Sequence, residues 1–336
     1  MKAIIPVAGA GTKLRPYTYT QPKALVPVAG RAILAHIVDY LLENGIQEFI
    51  FITGYMGVRI QDYMLSQYGG LENVEMSFIM QDKRQGSAHA VALAQKLVKE
   101  DEQLLIILGD TIVDLDLQAF LASEYSIVGI KKVKTPGHFG IAEINQEKFV
   151  IKAVEKPKIP KSNLALVGIY KILNLPLFFE GIDWVMKENI KTDGEYQLTD
   201  VLMYMIEKGE RIKTTTVNNW YDCGKKDSLL EANALLLNRP DFHRSEEHSH
   251  ALNTIIIHPV QIGKNCKIRN SIIGPNVVIG DNSHISSCII SDSIIGSFSE
   301  IESLILNHSL VGNESTLKGL SQSLNVGDDT EISFSS

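Results

Sequence analysis

Two glycines stand directly behind a short apolar run near the start of the chain, in Val7-Ala8-Gly9-Ala10-Gly11-Thr12-Lys13-Leu14-Arg15-Pro16, and Pro22-Lys23 follows closely. Glycine allows a backbone approach to a ligand that a Cβ would obstruct, and successive N–H groups can cradle phosphate oxygens. Lys13, Arg15 and Lys23 would set positive charge against such an anion. The Gly-Lys-Ser/Thr ending of a P-loop is absent, and Gly9-Ala10-Gly11 lacks the third glycine of the dinucleotide fingerprint. A structural turn therefore competes with a phosphate-binding turn until the basic residues behind it are counted.

Other residues offer chemistry at a distance along the chain. Asp110 follows the apolar run Leu104 to Leu108, so its carboxylate suits either a turn cap or a hard cation. Asp222 lies far downstream, after the strand-like segment Thr214 to Val217, and by itself reads as a turn residue. Glu155-Lys156-Pro157 follows a run ending at Val154 and alone would be a solvated turn. Gln81 closes the run Val74 to Met80. Its amide offers a donor and an acceptor, which matches the N3–H and O4 edge of thymine or uracil. Gly86 would let a base lie near the backbone, although Gly86-Ser87 equally reads as a helix N-terminus.

These residues need elements to hold them. Ala3 to Val7 and Glu48 to Thr53 have strand length. Between them Ile33, Leu34, Ile37, Val38, Leu41 and Leu42 fall on one helical face, and Gly45 follows as a C-terminal cap. The pattern continues with a helix over 57–68, a strand over 74–80, a helix over 87–98 and a strand over 104–108. Such alternation predicts an α/β fold with a mostly parallel mixed sheet and ligands at the carboxyl ends of its strands. From about residue 251 the texture changes. Ile256, Ile262, Ile268, Ile273, Ile279 and Ile285 recur in steps of about six, with Gly or Asn nearby. A hexapeptide rhythm places one aliphatic side chain per short strand inside a triangular solenoid. The expected domains are 1–237, a linker at 238–250, and a β-helix at 251–336.

Taken together the motifs resemble the sugar-phosphate nucleotidyltransferases. Gly-x-Gly-Thr-Arg-Leu-x-Pro followed by Pro-Lys is that family's signature. Further motifs follow in order: Gln81 with Gln85-Gly86-Ser87-Ala88-His89-Ala90, Leu108-Gly109-Asp110, Phe139-Gly140, Glu155-Lys156-Pro157, Val167-Gly168-Ile169-Tyr170, Glu195 to Asp200, and Trp220-Tyr221-Asp222-Cys223-Gly224. The resemblance extends over nearly the whole chain and is nearest to glucose-1-phosphate thymidylyltransferases of the long form, which carry a left-handed β-helix. It implies a Rossmann-like catalytic domain and a reaction between dTTP or UTP and a sugar 1-phosphate, with glucose 1-phosphate expected, releasing pyrophosphate. It also implies Mg²⁺ held by Asp110 and Asp222, and nucleotide contacts from Ala8, Gly9, Gly11, Thr12, Gln81 and Gly86. Gly140, Glu155, Lys156 and Val167 would receive the sugar phosphate, and Lys13, Arg15, Lys23 and Lys156 would neutralise charge. One departure is Lys13, where the family has Arg; lysine keeps the charge and loses the bidentate fork.

Composition narrows the classes. Over 336 residues, a net charge of −7 excludes broad affinity for nucleic acid or an anionic membrane. Cys223, Cys266 and Cys288 have no spacing for a zinc site or a disulfide framework, and the apolar start is too short to span a bilayer, so a cytoplasmic protein is expected. A homo-oligomer built on a flat solenoid face is expected too. His243, His248, His250 and His258 lack coherent ligand spacing and read as solvated. His89 is expected to pack beside the base pocket, and Met203 and Met205 to lie in a helix core. Two other classes stay open: a nucleotide-sugar-binding regulatory subunit, motivated by Lys13, and a bifunctional enzyme with an acyltransferase in the β-helix. The residues leave thymine against uracil, and the sugar, undecided.

Overall fold

A computed structural model describes residues 1–239 and 250–319, which leaves most of the expected linker, with His243 and His248, and the end of the β-helix domain outside the described residues. The chain divides into two compact units, Met1–Ala232 and Asn233–Ser336.

In the first unit, β1 (Lys2–Pro6), β2 (Glu48–Thr53), β3 (Glu75–Met80) and β4 (Leu104–Ile107) form a parallel group in the order β4-β1-β2-β3. Helix α1 (Ile33–Glu43) connects β1 to β2, and α2 (Gly57–Tyr68) connects β2 to β3. The apolar face of α1 is what makes it a helix of this fold: Ile33, Leu34, Ile37, Val38 and Leu41 are all at most 2% exposed. Each such burial contributes about 1.5–3 kcal/mol as an upper figure. Gly45, at φ +84°, ends the helix, and the following N–H of Ile46 returns to the Leu41 carbonyl at 3.0 Å.

Past β4 the chain adds β5 (Thr111–Asp114), β6 (Ser126–Lys132), β7 (Gly140–Ile144), β8 (Val150–Glu155), β9 (Leu164–Ile172), β10 (Ile212–Thr216) and β11 (Asn219–Asp222). The long β9 runs antiparallel to β4, β6 and β7, so the nine-stranded sheet is mixed. Its register breaks between Leu166 and Tyr170, where Gly168 adopts φ +86°. Strands β5 and β11 form a separate antiparallel pair.

The expected helix over 87–98 is shorter. Helix α3 covers Ser87–Ala92, and a 3₁₀ turn at Gln95–Leu97 follows before Val98 becomes extended. Met205, expected in a helix core, is fully buried, and Met203 packs against the same core.

In the second unit, strands of two or three residues form three parallel sheets. Lys267 pairs with His284 and His284 with Glu300, giving coils of 17 and then 16 residues. Ile268, Ile273, Ile279 and Ile285 fill the interior, and Ile256 and Ile262 pack against it, as in a left-handed β-helix of hexapeptide repeats. Corners fall on residues at positive φ, among them Asn253, Asn265, Asn270, Asn276 and Asn282. Asparagine tolerates this conformation, and its amides stack between coils: Asn265 Nδ2 lies 3.2 Å from Asn282 Oδ1. His250 begins the first of these strands, and His258 lies between the next two. Among the described residues, no helix is long and apolar enough to cross a membrane.

Candidate active site

Three parallel strands end at one edge of the sheet, and their next residues form a cleft of about 580 Å³. From β1 come Val7 to Thr12, from β3 comes Gln81, and from β4 come Leu108, Gly109 and Asp110. Backbone bonds fix these departures: Val7 N–H to the Ile52 carbonyl at 2.8 Å, Gln81 N–H to Thr53 at 2.7 Å and Gly109 N–H to Pro6 at 3.1 Å. A Cβ at Gly109 would run into the Val7 side chain, so only glycine lets the two strand exits lie this close. At Gly9 an added Cβ would meet no protein atom within 4 Å, which leaves that backbone open to the cleft.

The Gly11 turn is held differently. Gly11 has φ +62°, its carbonyl accepts from the Thr18 hydroxyl at 2.7 Å, and a Cβ there would press on the stem of Lys23. That packing delivers Lys23 to Asp110. The lysine ammonium donates directly to the Asp110 carboxylate, with the two side chains 13% and 37% exposed.

Asp222 arrives from the other pair of strands. It sits opposite Thr111 in the β5–β11 register, and Cys223 N–H donates to the Asp110 carbonyl at 3.1 Å. Its own carboxylate accepts from Gly224 N–H at 3.0 Å. Burial raises the Asp222 pKa and the negative charge of Asp110 adds to that, against the opposing pull of Lys23, Gly224 N–H and Lys13. Burial would raise Asp110 as well, but the charge and hydrogen bond of Lys23 outweigh it and hold that carboxyl below its ordinary value. Lys23 is driven up in turn, because Asp110 and Asp222 overcome the effect of its burial. Two carboxylates and one cation thus share a small space, short of positive charge.

That set suits a hard divalent cation such as Mg²⁺, which is held by one or two carboxylates plus phosphates and water. Among the described residues, no group of three or more His, Cys, Asp or Glu could hold a metal by itself. Phosphate oxygens would therefore have to complete the shell.

A second cluster lies around Glu155 at the end of β8. Glu155 accepts from the Thr199 hydroxyl at 3.2 Å, and a Cβ on Gly140 would come within 2.8 Å of both side chains. Burial raises the Glu155 pKa despite Lys156. Lys156, at φ +40°, pairs with Asp193 at 3.0 Å. The Val167 side chain is buried, so only its backbone is available, next to the break in β9 where Gly168 accepts from Leu108 N–H at 2.9 Å.

The segment from Glu195 to Thr199 ties the two clusters. Tyr196 N–H donates to Gln85 at 2.7 Å and Ala88 N–H to the Tyr196 carbonyl at 3.0 Å. Ser87 Oγ donates to Gln197 Oε1 and accepts from Leu198 N–H, each at 3.1 Å. Phe139 meets Trp220 edge-on at 4.8 Å, joining the Gly140 turn to the strand that bears Asp222.

Of the sequence candidates, Ala8, Gly9, Gly11, Thr12, Lys23, Gln81, Gly86 and Asp110 line the cleft, with Asp222 against Lys23 and Asp110. Gly140, Glu155, Lys156 and Val167 belong to the second cluster. Lys13 and Arg15 are exposed and outside the cleft walls. Arg15 lies 5.0 Å from the Tyr19 ring, while the charge of Lys13 still reaches Asp222. Arg84 and Glu195 line the cleft without having been singled out, and Thr199 was not singled out either. Glu195 and Thr199 belong to the motif that runs from Glu195 to Asp200, whereas no sequence pattern marks Arg84.

Residues 2–239 match the family described as nucleotidyl transferase. The chain belongs to that family. Among its relatives is the bifunctional protein GlmU of Methanocaldococcus jannaschii, 37% identical over 240 residues, covering 71% of this chain and 55% of the relative. The low-salt glycan biosynthesis nucleotidyltransferase Agl11 of Haloferax volcanii is 35% identical over 247 residues, covering 70% and 66%. A glucose-1-phosphate thymidylyltransferase of Streptomyces griseus is 29% identical over 314 residues, covering 87% and 85%. The chain thus spans little more than half of the GlmU relative and most of the thymidylyltransferase. Among solved structures, one assigned as a glucose-1-phosphate thymidylyltransferase from Bacillus anthracis, in complex with sucrose, superposes with a TM-score of 0.61 at 30% identity. It covers 73% of this chain and 98% of that one. The nucleotidyl transferase match takes in every candidate site residue named above.

Proposed function

We propose that this nucleotidyl transferase joins dTTP or UTP to a sugar 1-phosphate, with glucose 1-phosphate as the expected acceptor, and releases pyrophosphate. The observation that carries the reading is the convergence of the Gly9–Thr12 turn, Gln81, Gly86 and the Lys23–Asp110–Asp222 group on one cleft, tied by residues 195–199 to the Glu155 cluster.

A phosphate oxygen of the sugar attacks the α-phosphorus of the triphosphate, and the bond to the β-phosphate bridging oxygen breaks. The attacking oxygen is already ionised at neutral pH, so the reaction needs no general base, and positioning with charge neutralisation carries the rate. The open backbone of Gly9 to Thr12 receives phosphate oxygens. Lys23 exchanges its carboxylate partner for phosphate. Glu155 and Thr199 orient sugar hydroxyls, while Lys156 brings the second anion in. Lys13 and Arg15, outside the cleft walls, would steady the departing pyrophosphate. Asp110 and Asp222 would hold Mg²⁺, which supplies Lewis-acid neutralisation of the phosphates when bound.

The test is a pyrophosphate-release assay on the full chain, with four triphosphates against glucose, mannose, galactose and N-acetylglucosamine 1-phosphates. Release should require a pyrimidine triphosphate, a sugar 1-phosphate and Mg²⁺ together. Asp110→Asn and Asp222→Asn should each lower kcat/KM by about 10²–10³. If both variants keep the full rate, the carboxylate assignment is wrong.

A further inference from the structure

Gln81 closes β3 with only 4% of its surface exposed, and the direction of its amide is fixed by two neighbours. Nε2 lies 3.3 Å from the Gly86 carbonyl oxygen and 2.8 Å from His89 Nδ1. A carbonyl oxygen can only accept, so the nitrogen side of the amide must face Gly86; the reverse orientation would set two oxygens against each other. The same nitrogen then faces His89 Nδ1, which must offer a lone pair, with the ring proton on Nε2. Burial lowers the His89 pKa, in keeping with a neutral ring. Both hydrogens of the Gln81 amide are therefore committed inside the protein, and Oε1 is the amide atom left for the cleft that Gln81 lines. His89 itself does not line that cleft.

We propose that His89 is a positioning residue that locks Gln81 with Oε1 toward the ligand, making the base pocket select a ring N–H. Uracil and thymine carry N3–H, whereas cytosine presents a lone pair at N3. The donor-and-acceptor role that the sequence suggests for Gln81 narrows to acceptor alone. This specificity rests on the proposed nucleotidyl transfer for its meaning, but the lock can be read by binding without turnover.

The experiment compares the full-length protein with His89→Leu, which removes the acceptor, and His89→Asn, whose Oδ1 can replace Nδ1. Calorimetric Kd values for UTP, dTTP and CTP are measured first, then KM and kcat for each. His89→Leu should weaken UTP and dTTP about tenfold in Kd and KM, leave kcat within about twofold, and narrow the UTP-to-CTP preference by a similar factor. His89→Asn should restore both affinity and preference. An unchanged preference in His89→Leu, a loss that His89→Asn does not recover, or a wild-type protein that binds CTP as tightly as UTP would each overturn the lock. Selective UTP binding with no pyrophosphate release under any acceptor would instead overturn the proposed reaction and leave the lock standing.

Discussion

At the scale of single residues, the candidate site is organised by what a glycine omits and by which charge has a neighbour. Gly140 is the clearest case of the first. A methyl group there would crowd Glu155 Oε2 and Thr199 Cγ2, each at 2.8 Å, so Gly140→Ala should push Glu155 away from its hydroxyl partner. The expected outcome is a rise of about tenfold in KM for the sugar phosphate, with triphosphate Kd unchanged, from steady-state kinetics beside calorimetry. Lys23 is the clearest case of the second. Asp110 titrates below its ordinary 3.8 in the folded chain, so its pairing stabilises the fold above that pH and is lost as pH falls through the lower folded value. Lys23→Met should therefore cost about 1–3 kcal/mol near pH 7 after discounting for exposure, and the gap in Tm from wild type should close as the pH drops below 4. A gap that widens in acid would show that the pair is not what the lysine contributes. The glycine turn and Asp110 were legible in the sequence because each directly follows an apolar strand. The bond between Lys23 and Asp110 was not, since nothing local connects residues so far apart in the chain.

At the scale of elements, strand and helix periodicity gave α1, α2 and the four parallel strands to within a residue or two. It could not give the antiparallel entry of β9, because pairing order is not written in the alternation of side chains. That entry matters for the site. The break in β9 at Gly168 lies beside Leu108 and sets the Val167 backbone near the exit from β4 that leads to Asp110. The short α3 is a second miss, since an apolar pattern continues past Ala92 while the backbone tightens to a 3₁₀ turn. Its first residue has a measurable job. Ser87 Oγ receives the Leu198 N–H that opens helix α4 (Leu198–Glu207) and donates to Gln197. Ser87→Ala should cost about 1 kcal/mol by urea titration, by leaving that N–H without its oxygen. No loss of stability would mean that the 195–199 segment is held by its backbone bonds alone.

At the scale of the molecule, among the described residues one apolar cluster of the first unit is built on Ile4, Ile50 and Ile106, and a second, in the solenoid, on Ile268, Ile279 and Ile285. The second was legible well before its structure because each coil repeats the one before it, and a repeat is visible without knowing what pairs with what. Ile285 is 1% exposed within the solenoid, so Ile285→Ala should cost about 2–5 kcal/mol there. Scanning calorimetry should record that loss in one part of the unfolding profile, while KM for both substrates stays at the wild-type value. A parallel fall in triphosphate affinity would tie the nucleotide cleft to the solenoid core.

The embrace of Lys23 and Asp110 also implies a rule for the order in which ligands help one another. With no substrate, the lysine is the counter-ion of the carboxylate, and neither is free for a newcomer. If the cleft takes a triphosphate and Mg²⁺ as proposed, a triphosphate that draws off the ammonium would release a carboxylate oxygen, and a cation that takes the oxygen would release the ammonium. Each would then strengthen the other by an identical factor, as reciprocity of coupled equilibria demands. Titrated singly, each should bind weakly; titrated together, they should bind as though one ligand.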